Sequence, residues 1–164
     1  MNVSPENYME GHSIDLLQID PDSILLSIQN VLYETDLLER ILTYFDEEDV
    51  NVDVLTQTAP DVQRSDYAFI IDGSDYEVAQ RIAERVTASD PHYIAKADKN
   101  ITRLSLTGIG MRTQSGVAAK FFQVLADAEV PVRMITTSEI RIAVVIADEY
   151  VPQAVRAVKA AFDL

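Results

Sequence analysis

Two stretches of this chain pass through the same order of elements at a fixed distance, and that repeat limits the folds open to it. From Ile101 to Leu164 the residues read strand, glycine-bearing loop, helix, strand, strand, helix, and a looser copy runs from Ser23 to about Ala88. Leu37 and Val117 open helices, Asn51 and Pro131 open strands, and Gln57 and Thr137 close those strands, each pair about 80 residues apart. A fixed period of this length marks an internal duplication of a small α+β unit, so chemistry must be sought at matching positions in both copies.

The apolar spacing says what each unit is built from. Four segments carry one stripe each: Leu37, Leu38, Ile41, Leu42 and Phe45; Val78, Ala79, Ile82, Ala83 and Val86; Val117, Ala118, Phe121, Phe122, Leu125 and Ala126; Ala154, Val155, Val158, Ala161 and Phe162. Apolar pairs every three to four residues make a helix with one buried side. The strands that would receive those helices alternate. Ile24, Leu26 and Ile28 form one, Val52 and Val54 another with Leu55 just beyond, and Tyr67 to Ile71 a third. In the second copy these are Leu104 and Leu106, then Val132, Met134 and Ile135, then Ile140, Ile142, Val144 and Ile146. Alternation with one-sided helices predicts mostly antiparallel sheets with helices on one face.

The first copy closes as β-α-β-β-α-β, the ferredoxin-like arrangement, if His92 to Lys96 is its last strand. The second ends on a helix and lacks its sixth element. A spare strand, HSIDLLQID from His12 to Asp20, precedes the first copy, with turn residues Pro21 and Asp22 after it. The expectation is that this strand fills the vacant edge of the second copy. The layout is then residues 1–11 as a flexible arm, 12–21 as the borrowed strand, 22–98 as the first unit and 99–164 as the second. The first unit is inserted into a discontinuous second one.

Composition removes several kinds of function. A formal charge of −14 repels phosphate backbones, which argues against nucleic-acid binding. The absence of cysteine removes disulfides, thiolate metal sites and a cysteine nucleophile. The longest fully apolar stretch, Ile142 to Ala147, is far too short to span a bilayer, so a cytoplasmic protein without membrane contact is expected. No phosphate-binding glycine loop, dinucleotide fingerprint or H-E-x-x-H pattern is present, and no cofactor, metal or catalytic residue is expected. The only histidines, His12 and His92, fall in different expected strands and read as structural or surface groups. The acidic run Asp46-Glu47-Glu48-Asp49 follows a helix end, where negative charge is disfavoured, and is expected to splay into water.

Two segments invite a ligand. The loop Gly108 to Gly116, reading GIGMRTQSG, enters a helix whose free N–H groups attract an anion. It is either a carboxylate cradle or a glycine-rich turn that merely starts a helix. Thr136-Thr137-Ser138-Glu139 interrupts an apolar strand pair, and Glu139 offers a carboxylate to an ammonium group. Loop and turn together suit a zwitterion.

At these residues the chain resembles a known family. GIGMRTQSGVAAKFFQVLADA followed by MITTSEIRIAVVI resembles the second ACT unit of the aspartokinase regulatory region. The pattern is carried by Gly108, Gly110, Met111, Gly116, Val117, Ala118, Thr137, Ser138, Glu139, Ile140 and Phe162. NVDVLTQT, with Asn51, Asp53 and Gln57, resembles the N-[IV]-D strand of the first ACT unit. The resemblance implies two ferredoxin-like ACT units, an α+β fold in the discontinuous layout above, and no kinase domain in the chain, which is therefore not expected to be an enzyme. It implies regulation of an aspartokinase by an amino acid effector, lysine or threonine, in feedback control of aspartate-family biosynthesis. A homodimer and an aspartokinase catalytic subunit are the implied partners. The implied effector-binding residues are Asn51, Asp53, Gln57, Gly110, Met111, Ser115, Gly116, Val117, Thr137, Ser138 and Glu139.

The chain departs from the family at Thr35-Asp36, where the first unit usually has Pro-Gly, and at Ser115 and Pro131, where the second usually has Pro and Asn. Asp36 is a good N-cap and forms an Asp-x-x-Glu capping box with Glu39. Its charge also stands where an effector carboxylate would sit. The alternative function is thus an ACT module that has lost its ligand and only dimerises or docks on a kinase or other enzyme. The lack of Arg or Lys between Gln29 and Asp36 argues against an acyl-phosphate hydrolase on this topology, which would need a cationic phosphate cradle there.

Overall fold

The computed structural model describes residues 14–32, 36–58, 63–108 and 116–164. The elements are β1 (Leu16–Leu32), α1 (Leu37–Glu47), β2 (Val54–Thr58), β3 (Arg64–Asp72), α2 (Tyr76–Ser89), β4 (Ile94–Thr107), α3 (Val117–Asp127), β5 (Met134–Thr137), β6 (Arg141–Ala147) and α4 (Val151–Phe162). Contacts divide the described chain into residues 21–101 and residues 14–20 with 102–164. Each division falls inside a strand, β1 or β4. Pro21 and Asp22 therefore do not end a strand as the sequence suggests. Asp22 instead adopts a left-handed φ of 57° within β1, and Asn100 one of 63° within β4, and neither interrupts its strand.

Within residues 21–101 the strand order is β2-β3-β1-β4, and β3 is antiparallel to both β1 and β2. Leu26 lies opposite Phe69 and Ile28 opposite Tyr67, so alternate residues of both strands reach one face. There they meet Leu37, Ile41 and Phe45 of α1 and Ala79, Ile82 and Val86 of α2 in a single buried cluster. Fully burying side chains of this size stabilises by about 1.5–3 kcal/mol each. Within residues 14–20 and 102–164 the order is β5-β6-β4-β1, the same arrangement with β1 as the last strand. Leu104, Leu106, Ile142, Val144 and Ile146 meet Phe121 and Leu125 of α3 and Ala154 and Val158 of α4. The amide of Asp15 donates to the carbonyl of Thr107 at 2.9 Å, and Arg103 pairs with Asp20 at 3.3 Å.

The duplication extends to the helix ends. In α1 the amide of Val50 donates to Phe45 and that of Asp49 to Asp46; in α3 Val130 donates to Leu125 and Glu129 to Ala126. Both are Schellman closures, and both place an acidic residue where glycine is usual, Asp49 at φ 56° and Glu129 at φ 53°. Both turns then send the chain into an outermost strand.

Several local expectations fail for identifiable reasons. Asp36 makes no capping hydrogen bond, because its carboxylate turns along the helix to Arg40 at 3.4 Å. Glu47 and Glu48 do not splay into water; they pair with Arg85 and Arg81 of α2, each at 2.7 Å, and Arg85 also lies 3.7 Å over the ring of Tyr44. His92 sits in the turn before β4, outside any strand, with its Nδ1 2.9 Å from Asp90. Ile140 lies in an exposed turn, and β6 begins after it at Arg141. Ala143 and Val145 are buried along with Ile142, Val144 and Ile146, so β6 is dry on both sides.

Two outcomes follow from this packing. A Cβ at Gly73 would stand 2.4 Å from the carbonyl oxygen of Asp22, a backbone atom that cannot swing aside. Gly73→Ala is expected to lower the urea unfolding free energy by about 1–3 kcal/mol, as overpacking does elsewhere. The hydrogen bond and charge of Arg81 hold the Glu48 carboxyl below the usual glutamate range. The resulting stability is present above about pH 4.3, the unfolded value, and is lost as pH falls through the lower folded value. Glu48→Gln should flatten that part of the stability–pH curve, measured by denaturation at a series of acidic pH values.

Candidate functional site

In the unit formed by residues 21–101, Asn51, Asp53 and Gln57 follow the turn after α1 into β2, the outermost strand. Only Gln57 lies within β2; Asn51 and Asp53 precede it and alternate with Val50 and Val52, which pack on the core. Gln57 lies opposite Tyr67, whose ring is in the core, which puts Gln57 on the helix-bearing side of the sheet margin. The amide of Asp53 donates to Ile70 at 2.9 Å, which fixes the backbone while leaving the carboxylate exposed. The Gln57 amide nitrogen is 3.5 Å from the hydroxyl of buried Ser65. Two exposed carboxamides and one carboxylate on a fixed strand can receive an ammonium and a hydroxyl.

In the other unit the amide of Gly108 donates to the carbonyl of Ile140 at 3.0 Å, which sets the end of β4 beside the β5–β6 turn. Ser138 closes that turn by donating its amide to Arg141 at 2.8 Å, and Thr137, Ser138 and Glu139 are exposed around it. Gly116 opens α3 at φ 108°, a conformation that favours glycine, and nothing lies within 4 Å of the place a Cβ would take. The glycine is required by the backbone and not by crowding. Val117 is buried in the core, so only its backbone amide is available to a ligand. Gly110, Met111 and Ser115 lie outside the described residues. The two rows of candidates belong to different units, and within each unit the fold gathers only its own set.

A group with no part in the expected site holds the exit of β1. Asn30, at φ 61°, sits in a break of register between Ile28 and Val31. Its amide donates to Asp66 at 2.8 Å, its carbonyl accepts from Arg64 at 2.7 Å, and its side chain donates to the carbonyl of His92 at 3.0 Å. Asp90 is held below the usual carboxylate range, first by the backbone amide of His92, then by its ring, with Arg64 adding a weaker pull. An asparagine amid apolar residues is the signal the sequence offers, since Asn tolerates the left-handed region that a bulge needs. Elsewhere a recess of about 490 Å³ lies along α1, lined by Leu38, Glu39, Leu42, Thr43 and Asp46, none of them a candidate residue. Among the described residues no His, Asp or Glu group is placed to hold a metal, and no helix is long and apolar enough to cross a membrane.

Residues 104–162 match the ACT domain family model. An aspartate kinase from Stutzerimonas stutzeri is 32% identical over all of this chain, which covers 40% of that protein. The regulatory subunit of aspartate kinase from Thermus thermophilus, in a ligand-free form, overlays 92% of this chain on 99% of its own at a TM-score of 0.81 and 28% identity. Over nearly its whole length the chain is similar to the ACT-domain regulatory region of aspartokinases. An aspartate kinase from Synechocystis overlays 98% of it at a TM-score of 0.83 and 26% identity, over 28% of that longer chain. The chain thus spans about 40% of the length of the curated relatives it matches, and covers only their regulatory part.

Asn30→Ala is expected to cost about 2 kcal/mol, about half from left-handed strain and half from the lost bond to His92. Asn30→Gly should cost less, because it keeps the backbone geometry; urea unfolding of both variants checks the order.

Proposed function

We propose that this chain is the amino-acid-sensing part of an aspartokinase and restrains the kinase allosterically when an end product of aspartate-family biosynthesis accumulates. The observation that carries the reading is the near-complete overlap, end to end, with a chain described as a regulatory subunit. In this reading the chain is not itself an enzyme, acts as a homodimer in the cytoplasm, and docks on an aspartokinase catalytic subunit. The effector is lysine or threonine. Its ammonium and side chain are held by Asn51, Asp53 and Gln57, or its carboxylate and ammonium by the Gly116 helix start and the Thr137, Ser138 and Glu139 turn, with Gly110, Met111, the Val117 amide and Ser115 contributing.

One observation favours a second reading, a dimerising or docking module with no ligand. Asp36 keeps its carboxylate at the start of α1, held there by Arg40, where an effector carboxylate would otherwise approach. Thermal unfolding separates the two. A ligand at about a hundred times its Kd adds about 2.7 kcal/mol of stability, a Tm rise of roughly 5–10 °C for a chain of this size. The sensing reading expects such a rise with millimolar L-lysine or L-threonine and none with glycine. Identical Tm values in all three leave the docking module.

A further inference from the structure

Residues 14–20 are held along one edge only, yet the core of their unit needs them. Strand β3 pairs with β1 only from Ser23 onward, so before that point β4 is the partner that holds the strand. Ile14 is buried in the cluster, the Asp15 amide donates to Thr107 at 2.9 Å, and Asp20 pairs with Arg103 at 3.3 Å. Leu16 and Ile19 remain 52% and 40% exposed. Only Pro21 and Asp22 connect this strand to Ser23. Asp22 is left-handed, at φ 57°, a strained state for a residue with a side chain. Its carbonyl oxygen is also pressed so close to Gly73 that a Cβ there would stand 2.4 Å away.

We propose that residues 14–20 exchange between two copies of this chain, each copy's strand completing the other's β5-β6-β4 sheet. The occupant is a second copy because the vacated edge is matched by this strand: it takes an apolar Ile14 into the core and offers Arg103 to Asp20. Every one of these contacts is kept in the exchanged pair, made with the other copy's atoms, so exchange itself costs little. What changes is the connection. Pro21 and Asp22 open, Asp22 leaves its left-handed state, and its carbonyl draws back from Gly73. A short connection under strain favours the exchanged form, whereas the freedom lost on association favours the closed one. Protein concentration during folding therefore decides between them. A reciprocal exchange closes on itself and stops at two copies. The exchange needs no ligand and is independent of the sensing function.

A disulfide trap tests this. Asp15 and Thr107 are joined by a backbone bond between adjacent strands, where Cα atoms stand about 5.5 Å apart, a separation a disulfide spans. The chain has no cysteine of its own to interfere. One full-length chain carries Asp15→Cys and another, with a distinguishing tag, carries Thr107→Cys. The two are mixed, unfolded in urea and refolded together at high concentration, in salt that screens the −14 charge of each copy. Oxidation should then join the two chains to one another. Mixed without unfolding they should stay separate, because the strand leaves only when its unit opens. Gly73→Ala in both chains should raise the joined fraction at least about fivefold, since it overpacks the closed connection alone. No joined pair after refolding in either background overturns the proposal. Equal yields with and without unfolding also overturn it, because they mark ordinary pairing of folded chains. Should a cysteine variant not fold, the unaltered chain carries the test. Samples refolded dilute and refolded concentrated, then brought to one concentration, should elute differently on size exclusion; identical elution overturns the exchange.

Discussion

A single backbone hydrogen bond, from the amide of Asp15 to the carbonyl of Thr107, marks the constraint on which the C-terminal unit depends. That unit has two helices, α3 and α4, each with one apolar stripe, and both must lie on one sheet. Its own later residues supply only β4, β5 and β6. The fourth strand comes from the beginning of the chain, where Ile14 is as fully buried in the cluster as Leu104 or Val144. The pairing therefore adds both an edge to the sheet and an apolar contribution to its core.

The same economy of parts explains how the two halves differ. Cores and turns have been kept alike: Phe45 and Leu125 accept the same closing hydrogen bond, and Asp49 and Glu129 share a left-handed conformation. The surfaces have diverged. Glu47, Glu48, Arg81 and Arg85 lace α1 to α2, whereas the matching positions after α3 are Asp127 and Ala128, and Phe121 of α3 meets Phe162 of α4 edge-on. Backbone geometry tolerates little change in a unit this small, but exposed side chains can change sign freely, as at the matching positions Asp53 and Arg133.

Much of this architecture is legible in the residues alone. Periodicity gives the helices, because a one-sided stripe such as Leu37, Ile41 and Phe45 fits the turn of a helix and not the alternation of a strand. The 80-residue offset gives the duplication, and the missing strand points to residues before Pro21. What alternation does not show is where strands stop. Pro21-Asp22 reads as a break, yet β1 runs on through Asp22 in a left-handed conformation. Charge pairing is also hidden: nothing local to Glu47 or Glu48 announces Arg85 or Arg81, which lie more than 30 positions away and one helix across. The row of Asn51, Asp53 and Gln57 is visible only through family likeness. Exposed polar residues on an edge strand have no periodic signature, and Asn30, which fixes the exit of β1, shows only as an asparagine amid apolar residues.

The interleaved layout also bears on how the polypeptide is made. Residues 21–101 emerge from the ribosome as a contiguous run and can close their own sheet at once. The early strand at Leu16–Asp20 must wait until β4 has been synthesised before it finds any partner, and until α4 has been made before its apolar side is covered. During that interval it is an unpaired edge carrying Leu16 and Ile19, both exposed even in the finished fold. Bringing such distant segments together costs loop-closure entropy before any contact repays it, so assembly of the later unit is the slower event and the one most open to mispairing between nascent chains.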